Sequence, residues 1–154
     1  MEAKLRLAMV QVMIQYTFND CALLREALQA AQNTRLARIG VAALTLLLAT
    51  EGYQRRQPES KSIYQYVIDQ VIARRTDNTF VAQKAFTLGL NRYIDDPSQG
   101  GYTSHDVMAT TVQAILGAVQ VDSGGRMMYL EEVVDLVGVS WPVGHDAGSG
   151  EDSA

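Results

Sequence analysis

The sequence has little of what cross-links or interrupts a fold, with one cysteine and three prolines in 154 residues. Cys21 lacks a second cysteine with which to form an intramolecular disulfide or a zinc site, so we interpret it as a small core residue. The prolines at 58, 97 and 142 leave long stretches uninterrupted, which favours helices. A chain of this length can bury one core of normal size without cross-links. We therefore expect a single, largely helical domain.

An excess of positive charge is also missing. Thirteen Lys and Arg against 17 Asp and Glu give a formal net charge of −4. Phosphate neutralisation by basic residues supplies most non-specific affinity for nucleic acid, so indiscriminate coating is excluded while a local basic patch is not. No apolar run approaches the roughly 20 residues of a membrane span, and the start lacks a signal peptide's apolar centre. We expect an intracellular protein, cytoplasmic or organellar (mitochondria included), with no membrane.

Apolar side chains recur with helical spacing along most of the chain and predict an all-α fold of about seven helices. The third helix is the most apolar, and we expect it to be the central buried one. The first four predicted helices span residues 2 to about 16, the caps Asn19 and Asp20 to Leu28, about 34 to 54, and about 62 to 75. The fifth runs from caps at residues 76–78 to Gly89, and the sixth from 105, capped by Ser104, to about 121. The last ends near Val137.

The domain organisation follows from where this pattern stops. Residues 95–101 combine Asp, Pro, Ser and Gly and form the clearest predicted loop. Residues 1–140 carry the helical pattern and are predicted to form one domain. Residues 141–154 are mostly Gly, Ser, Asp and Glu, and are predicted to be a disordered acidic tail containing His145.

Three stretches occur in a distinctive order. Residues 16–28 contain YTFND and LLREAL, residues 33–44 read NTRLARIGVAAL, and residues 109–125 read ATTVQAILGAVQVDSGG. They are similar to Y-x-F-x-D/N with L-L-x-x-A-L, to N-E-R-L-E-F-L-G-D-A-V-L, and to A-D-x-x-E-A-x-x-G-A-x-x-x-D-x-G of the ribonuclease III catalytic domain. Residues 78–80 and 85–90 resemble the family's connector N-x-x-L with A-x-x-L-G-L. The resemblance covers roughly residues 10–138.

This resemblance implies an all-helical domain that forms a homodimer through the signature helix, with a valley for double-stranded RNA between the protomers. The apolar third helix agrees with such a dimer, because it has more apolar surface than one small core requires. The predicted dimer-interface residues are Ile39, Gly40, Ala43, Leu46 and Leu47.

The family's metal-binding carboxylates are replaced in this chain. The resemblance places two of them at Ala37 and Val41 and the other two at Thr110 and Gln113. Magnesium is a hard cation that requires oxygen ligands and favours carboxylates, and in the family it generates the nucleophile. We therefore predict no catalytic residue, no bound metal and no cofactor.

Other candidates for that chemistry are weak. Asp106 is interpreted as a first-turn residue favoured by the helix dipole. Glu51 lies ten residues after Val41, roughly 15 Å along the helix, which is too far for a shared site. His105 is interpreted as an ordinary surface residue.

Binding of RNA does not need the metal, since contacts with duplex RNA are mostly to phosphates and 2′-hydroxyls. The alternative, that the basic residues are solvated or capping charges, is left open. We expect no double-stranded-RNA-binding module after this domain, and therefore modest affinity. The RNA-binding candidates are Arg35, Arg38, Arg55, Arg56, Lys61, Arg74 and Arg75.

The function that the sequence favours is a non-catalytic ribonuclease III domain, a pseudoenzyme that serves as a dimeric RNA-associated or ribonucleoprotein assembly module. One alternative is a divergent double-stranded-RNA endoribonuclease with a rearranged metal site. A second alternative is a protein-interaction module that does not bind RNA.

Overall fold

The computed structural model describes residues 2–55, 61–96 and 103–142. Its described part is helical apart from turns and an isolated bridge between Gln29 and Asp95, which confirms the all-α prediction. The predicted tail from residue 143 onward, with His145, lies outside the described residues. The helices are α1 Ala3–Ile14, α2 Cys21–Ala27, α3 Thr34–Gln54, α4 Lys61–Arg75, α5 Asn78–Leu88, α6 His105–Asp122 and α7 Met127–Val137, with a 3-10 turn at Leu90–Tyr93.

The helix ends follow from local chemistry. The Asp20 side chain accepts a hydrogen bond from the Ala22 N–H at the start of α2, and Ser104 accepts one from the Val107 N–H at the start of α6. Such caps satisfy amide groups that have no partner within the helix. Gly89 ends α5 in the left-handed conformation with φ of 80°, which a glycine adopts without steric cost. These predicted caps are confirmed.

The central helix is α6. Its residues 111–119 are all buried, and it packs against α2, α3, α5 and α7. The prediction that α3 is the central helix is wrong, because the apolar residues of α3 are divided between two faces. Leu44 and Leu48 are buried against the core, whereas Leu46 is 57% exposed. The composition of a helix shows how apolar it is, but not which of its faces packs against another helix.

Two glycines bring α3 and α6 into backbone contact. A Cβ atom on Gly40 would overlap the carbonyl of Gln113 and lie 2.9 Å from the Gly117 nitrogen. A Cβ atom on Gly117 would overlap the Leu36 carbonyl. The helices cross where neither has a side chain, so residues near the crossing are held within narrow limits.

This crossing corrects part of the predicted dimer interface. Gly40, Ala43 and Leu47 are buried within the protomer, because they lie on the inner faces of α3. Ile39 and Leu46 are the two predicted interface residues whose side chains are exposed. The small side chains permit close approach to α6 rather than to a second copy.

The core extends beyond the predicted domain end at residue 140. Val139 and Trp141 are buried, and the Trp141 ring lies 2.8 Å from where a Cβ on Gly52 would be. The Arg55 guanidinium lies 5.3 Å from the centre of the same ring. Trp141 and Pro142 therefore belong to the domain, and the prediction that the tail begins at 141 is corrected.

Two further expectations differ from the structure. Cys21 is exposed on α2, since the core is contacted by Leu24 and Ala27 on another face of that short helix.

Among the described helices, α3 is long and apolar enough to cross a membrane by length and composition alone, contrary to the expectation that no segment would be. One face of α3 is buried against α6, and core helices that are buried in this way commonly have an apolar composition.

Candidate functional site

The four positions aligned with the family's carboxylates lie on α3 and α6, the two helices that cross at Gly40 and Gly117. Ala37 precedes Gly40 by three residues and is buried, and Val41 follows it directly and is partly buried. On α6, Thr110 is partly buried and Gln113 is buried beside Gly40. The structure thus places Gln113 at the crossing, with Ala37 and Val41 within one turn of Gly40 on α3 and Thr110 within one turn of Gln113 on α6.

The start of α5 completes this site. The Gln113 amide Nε2 donates a hydrogen bond to Oδ1 of Asn78, the first residue of α5, at 3.4 Å. Asp77 caps that helix by accepting from the Phe80 N–H, which holds Asn78 in place. The Gln113 Nε2 is therefore bonded to the start of α5, and three helices meet at this site.

The residues of the site do not fit magnesium. Ala37 and Val41 have no donor atoms, and Gln113 is neutral and bonded to Asn78. Magnesium sheds its water reluctantly and is usually held through one or two carboxylates. Nowhere in residues 2–55, 61–96 and 103–142 do three or more His, Cys, Asp or Glu side chains lie together as they would around a metal.

The acidic and histidine residues considered as substitutes point elsewhere. His105 is exposed, and its ring centre lies 5.5 Å from that of Phe86. Asp106 is exposed in the first turn of α6, as predicted. Glu51 pairs with Arg55 at 3.3 Å near the C-terminal end of α3. None of them is joined to the α3–α6 crossing by a contact that the structure shows.

The predicted basic cluster is divided among different roles. Arg35 pairs with Glu26 at 3.5 Å, and Arg55 pairs with Glu51. Arg75 is buried with its guanidinium 4.8 Å from the centre of the Phe80 ring, so it is a packing residue. Arg35 and Arg55 lie at opposite ends of α3, about 30 Å apart by helical rise. These residues do not form one patch.

Two further basic residues, one on α3 and one on α4, are exposed. Arg38 lies on the outer side of α3, and within the described part of the chain it has no ion-pair or hydrogen-bond partner. Arg74 is exposed near the end of α4, four residues before Asn78. Arg56 and the side chain of Lys61 lie outside the described residues.

A second polar site, which the sequence reasoning did not assign, lies at the C-terminal end of α6. Asp122 accepts hydrogen bonds from the backbone N–H of Asn19 at 2.9 Å and of Asp20 at 2.8 Å. It also accepts one from the Tyr16 hydroxyl at 2.8 Å. This carboxylate ties the turn between α1 and α2 to the central helix. Its signal in the sequence was the final Asp of the third motif.

The charge of Asp122 is stabilised by these bonds. Partial burial alone would raise the pKa of its carboxyl group, but the bonds from Asn19, Asp20 and Tyr16 outweigh burial, and the net pKa is lowered. Burial and the bond to Asp122 raise the pKa of the Tyr16 hydroxyl. Asp122 is thus ionised and Tyr16 neutral near pH 7.

A cleft of about 420 Å³ opens beside this carboxylate. It lies about 14 Å from Gln113 along the axis of α6, so it is separate from the α3–α6 crossing. The cleft is lined by Tyr16, Thr17, Asn19, Asp122, Ser123, Gly124, Arg126 and Tyr129.

The role of Asp122 is testable by substitution. Asp122→Asn should lower the free energy of unfolding by about 2 kcal/mol near pH 7, because charge-assisted bonds are lost and one backbone N–H faces a donor. The pKa is lowered in the folded state, so the contribution is present above the unfolded value of about 3.9 and is lost as pH falls through the folded value. The difference between the two proteins should therefore shrink at acidic pH in urea titrations.

The matched control is Asp135→Asn, which removes an exposed carboxylate on α7. It should change stability by less than about 0.5 kcal/mol. An Asp122→Asn protein as stable as the unsubstituted protein at pH 7 would show that these bonds do not hold the turn.

Curated relatives of the chain are named Ribonuclease 3. That of Coxiella burnetii strain CbuK_Q154 is 30% identical over 118 residues, 71% of this chain and 49% of that protein. That of Oleidesulfovibrio alaskensis is 28% identical over 159 aligned positions, 94% of this chain and 67% of that protein. The chain thus spans about half the length of the Coxiella relative. No protein-family profile matches it.

Solved structures share the fold. A nuclease domain of ribonuclease III from Campylobacter jejuni superposes with a TM-score of 0.72 at 21% identity, covering 89% of this chain and 95% of that one. A second structure of that domain, described for flexibility in a region involved in dimer formation, gives 0.69 at 20% identity, covering 83% and 93%.

The helix order and the α3–α6 crossing define an all-α domain built around a buried central helix. Together with these likenesses they identify the fold: the chain has the catalytic-domain fold of the ribonuclease III family. It is accordingly related to RNA-processing ribonucleases.

Proposed function

We propose that this chain is a non-catalytic ribonuclease III domain that pairs with a second copy and serves as an RNA-associated or ribonucleoprotein assembly module. The observation that carries the proposal is the composition of the α3–α6 crossing. Ala37 and Val41 stand there without donor atoms, and the Gln113 amide is bonded to Asn78. The family's fold is retained while the residues that would draw a divalent cation out of water are replaced.

The side chains that replace the carboxylates favour a loss of RNA cleavage over cleavage by a different mechanism. A metal in this fold would supply a hydroxide nucleophile and stabilise charge on the phosphate. The hydroxyl of Thr110 and the amide of Gln113 are neutral, so they do not offset the cost of stripping water from magnesium.

Association with RNA is supported by exposed arginine side chains and not by an excess of positive charge. Arg38 on α3 and Arg74 on α4 are exposed, and duplex RNA is bound largely through phosphates and 2′-hydroxyls. The net charge of −4 opposes strong non-specific binding. We expect modest affinity that falls as salt concentration rises.

A binding and cleavage assay tests the proposal. The purified full chain is incubated with labelled duplex RNA without metal, with Mg²⁺ and with Mn²⁺, and both retention and cleavage are scored. We expect salt-sensitive retention and no cleavage under all three conditions. Calorimetric titration of the protein with Mg²⁺ should show no binding, because the four aligned positions offer no carboxylate.

The other outcomes separate the competing functions. Metal-dependent cleavage, compared with an active ribonuclease as positive control, would establish an endoribonuclease with a rearranged site and overturn the proposal. Absence of both retention and cleavage would overturn the RNA-binding part of the proposal and favour the protein-interaction alternative.

A further inference from the structure

The last helix, α7, exposes apolar and acidic side chains together on one side. Its opposite side is buried in the core. Spacings of three and four residues place the exposed side chains on a single face of the helix. Met128 is 62% exposed and Leu136 is 37% exposed. The outer face of α7 consists of Met128, Glu131, Glu132, Asp135 and Leu136.

The charges of this face are not explained by the stability of the helix. Glu131 and Asp135 are four residues apart, and like charges at this spacing repel each other on a helix. Asp135 lies in the last turn, where a negative charge interacts unfavourably with the helix dipole. The first turn, where a carboxylate would be favourable, has none, and the last turn has no basic residue. The arrangement lowers the stability of α7, which indicates that these carboxylates serve a contact outside the helix.

Neighbouring elements do not neutralise the outer face of α7. In the part of the chain that the structure describes, no ion pair involves its three carboxylates. Lys84 of α5 approaches the C-terminal end of α7, since its Cδ lies 3.3 Å from where a Cβ on Gly138 would be. The ammonium group of Lys84 lies 5.2 Å from the centre of the Phe80 ring, and it makes that contact instead of an ion pair with α7. The negative charge of the face is therefore available to a partner.

Charge decides which kind of partner fits this face. Nucleic acid and anionic lipid surfaces are negatively charged, so the carboxylates repel them. A second copy in a two-fold arrangement would bring the same carboxylates against each other. A protein segment rich in Lys and Arg is attracted instead, and charge complementarity of this kind supplies specificity.

The apolar side chains define the shape of that segment. Met128, Glu132 and Leu136 follow one another at four-residue intervals, so the two apolar side chains lie about 12 Å apart along the helix. In paired helices, apolar side chains make the central contact and the charges beside them select the partner. Methionine also adapts its shape to irregular partner surfaces.

We infer that the outer face of α7 binds a basic helix of a protein partner, one rich in Lys and Arg with two apolar side chains about two turns apart. The inference names a partner class for the assembly role of the proposed function and rests on that role. A face on one helix of 11 residues is smaller than a standard interface, so we expect a weak complex whose affinity falls as salt concentration rises.

Neutralising the carboxylates tests the inference. The probe is a fluorescently labelled synthetic helix of Ala and Lys with two Leu residues two turns apart, and the control peptide has Glu in place of Lys. Anisotropy with the full chain should show salt-sensitive binding of the basic peptide and no binding of the acidic one. Glu131→Gln, Glu132→Gln and Asp135→Asn combined should weaken binding about tenfold, the sum of three modest exposed ion pairs.

The matched control removes three exposed carboxylates from other helices and their ends, in the combined variant Glu2→Gln, Asp69→Asn and Asp106→Asn. Each combined variant loses three negative charges, which changes the formal net charge from −4 to −1. The control should weaken binding less than about threefold, since charges off the contact act only through a screened field. An equal loss in both variants would show that total charge and not this face attracts the peptide, and would overturn the inference.

The apolar side chains are tested separately. Met128→Ser and Leu136→Ser combined should weaken binding severalfold at low and at high salt, because apolar contact is not screened by ions. Val12→Ser is the comparison, since Val12 is 72% exposed on α1. Unchanged binding by the Met128 and Leu136 variant would overturn the placement of the partner's apolar side chains.

Stability of the carboxylate variant is an independent readout. It should unfold at the same temperature as the unsubstituted protein or at a higher one, because the repulsion between Glu131 and Asp135 is relieved. A lower unfolding temperature would show that these carboxylates stabilise the fold, which would overturn the inference.

Duplex RNA separates this inference from the proposed function. Retention of labelled duplex RNA should be no weaker in the carboxylate variant, and a loss there would show that the face contacts RNA and overturn the inference. Failure of the unsubstituted protein to bind the basic peptide would overturn it as well. Failure to retain RNA while the peptide is bound at α7 would count against the RNA-binding part of the proposed function and support the face as a protein contact.

Discussion

Gly117→Ala should lower the free energy of unfolding by about 3 kcal/mol, although the same change in a helix interior usually adds about 0.5–1 kcal/mol. The added Cβ would overlap the Leu36 carbonyl and lie 3.0 Å from the Gly40 nitrogen. These are backbone atoms, so no rotamer change can make room. The helices α3 and α6 would have to separate, which weakens the packing of the whole core at its most buried helix.

Urea denaturation followed by circular dichroism measures this effect. Gly124→Ala is the comparison variant, because no atom lies within 4 Å of its Cβ position. Any loss of stability in that variant comes from the positive φ of 69° and not from steric overlap. That cost should be about 1–2 kcal/mol. If Gly117→Ala proves as stable as the unsubstituted protein, the two helices do not touch through their backbones.

Trp141→Ala should cost about 3–5 kcal/mol, the range for removing a large buried aromatic side chain. The ring is 2% exposed and lies against Gly52, where α3 has no side chain to fill the space left behind. The change also removes the ring beneath the Arg55 guanidinium. Since Trp141 is the single tryptophan, unfolding must be followed by circular dichroism rather than by intrinsic fluorescence.

Two comparisons separate packing from other causes. Trp141→Phe keeps an aromatic ring in place and should lose less than half as much stability as Trp141→Ala. A chain ending at residue 140 should be less stable than one ending at 142 by a similar several kcal/mol. Equal stability of the two shortened chains would restore the domain end predicted from the sequence.

Much of the fold could be predicted because its determinants are local. The bounds of α3 at Thr34 and Gln54 match those predicted, and the caps Asp20 and Ser104 act on amide groups within three residues along the chain. What the sequence could not show was which helix lies at the centre. The position of a helix in the core depends on contacts between segments that are distant in sequence. The helix α6 is central because four helices pack around it.

The candidate site was predictable in position and less so in its surroundings. Alignment of motifs places Ala37, Val41, Thr110 and Gln113 together, and Gln113 lies against Gly40 at the α3–α6 crossing. The roles of the basic residues depended on tertiary packing. Arginine side chains combine an apolar stem with a charged head, so sequence alone does not distinguish a binding residue from one packed on a ring.

The network around Asp122 shows the same limit. Its partners Tyr16, Asn19 and Asp20 precede it by about a hundred residues. An acidic residue at the C-terminal end of a helix interacts unfavourably with the helix dipole. The residues next to Asp122 in the sequence therefore do not explain its position. The reason lies in the turn that it holds.

The burial of α6 on all sides has a consequence for the dynamics of the molecule. Amides in the middle of this helix are hydrogen-bonded and shielded by α2, α3, α5 and α7, so no loop or helix end can open to expose them separately. Their hydrogens can be replaced by deuterium only when the surrounding helices come apart together. The slowest-exchanging amides from Thr111 to Val119 therefore report the global stability of the domain, while α1, exposed along one side, can fray independently.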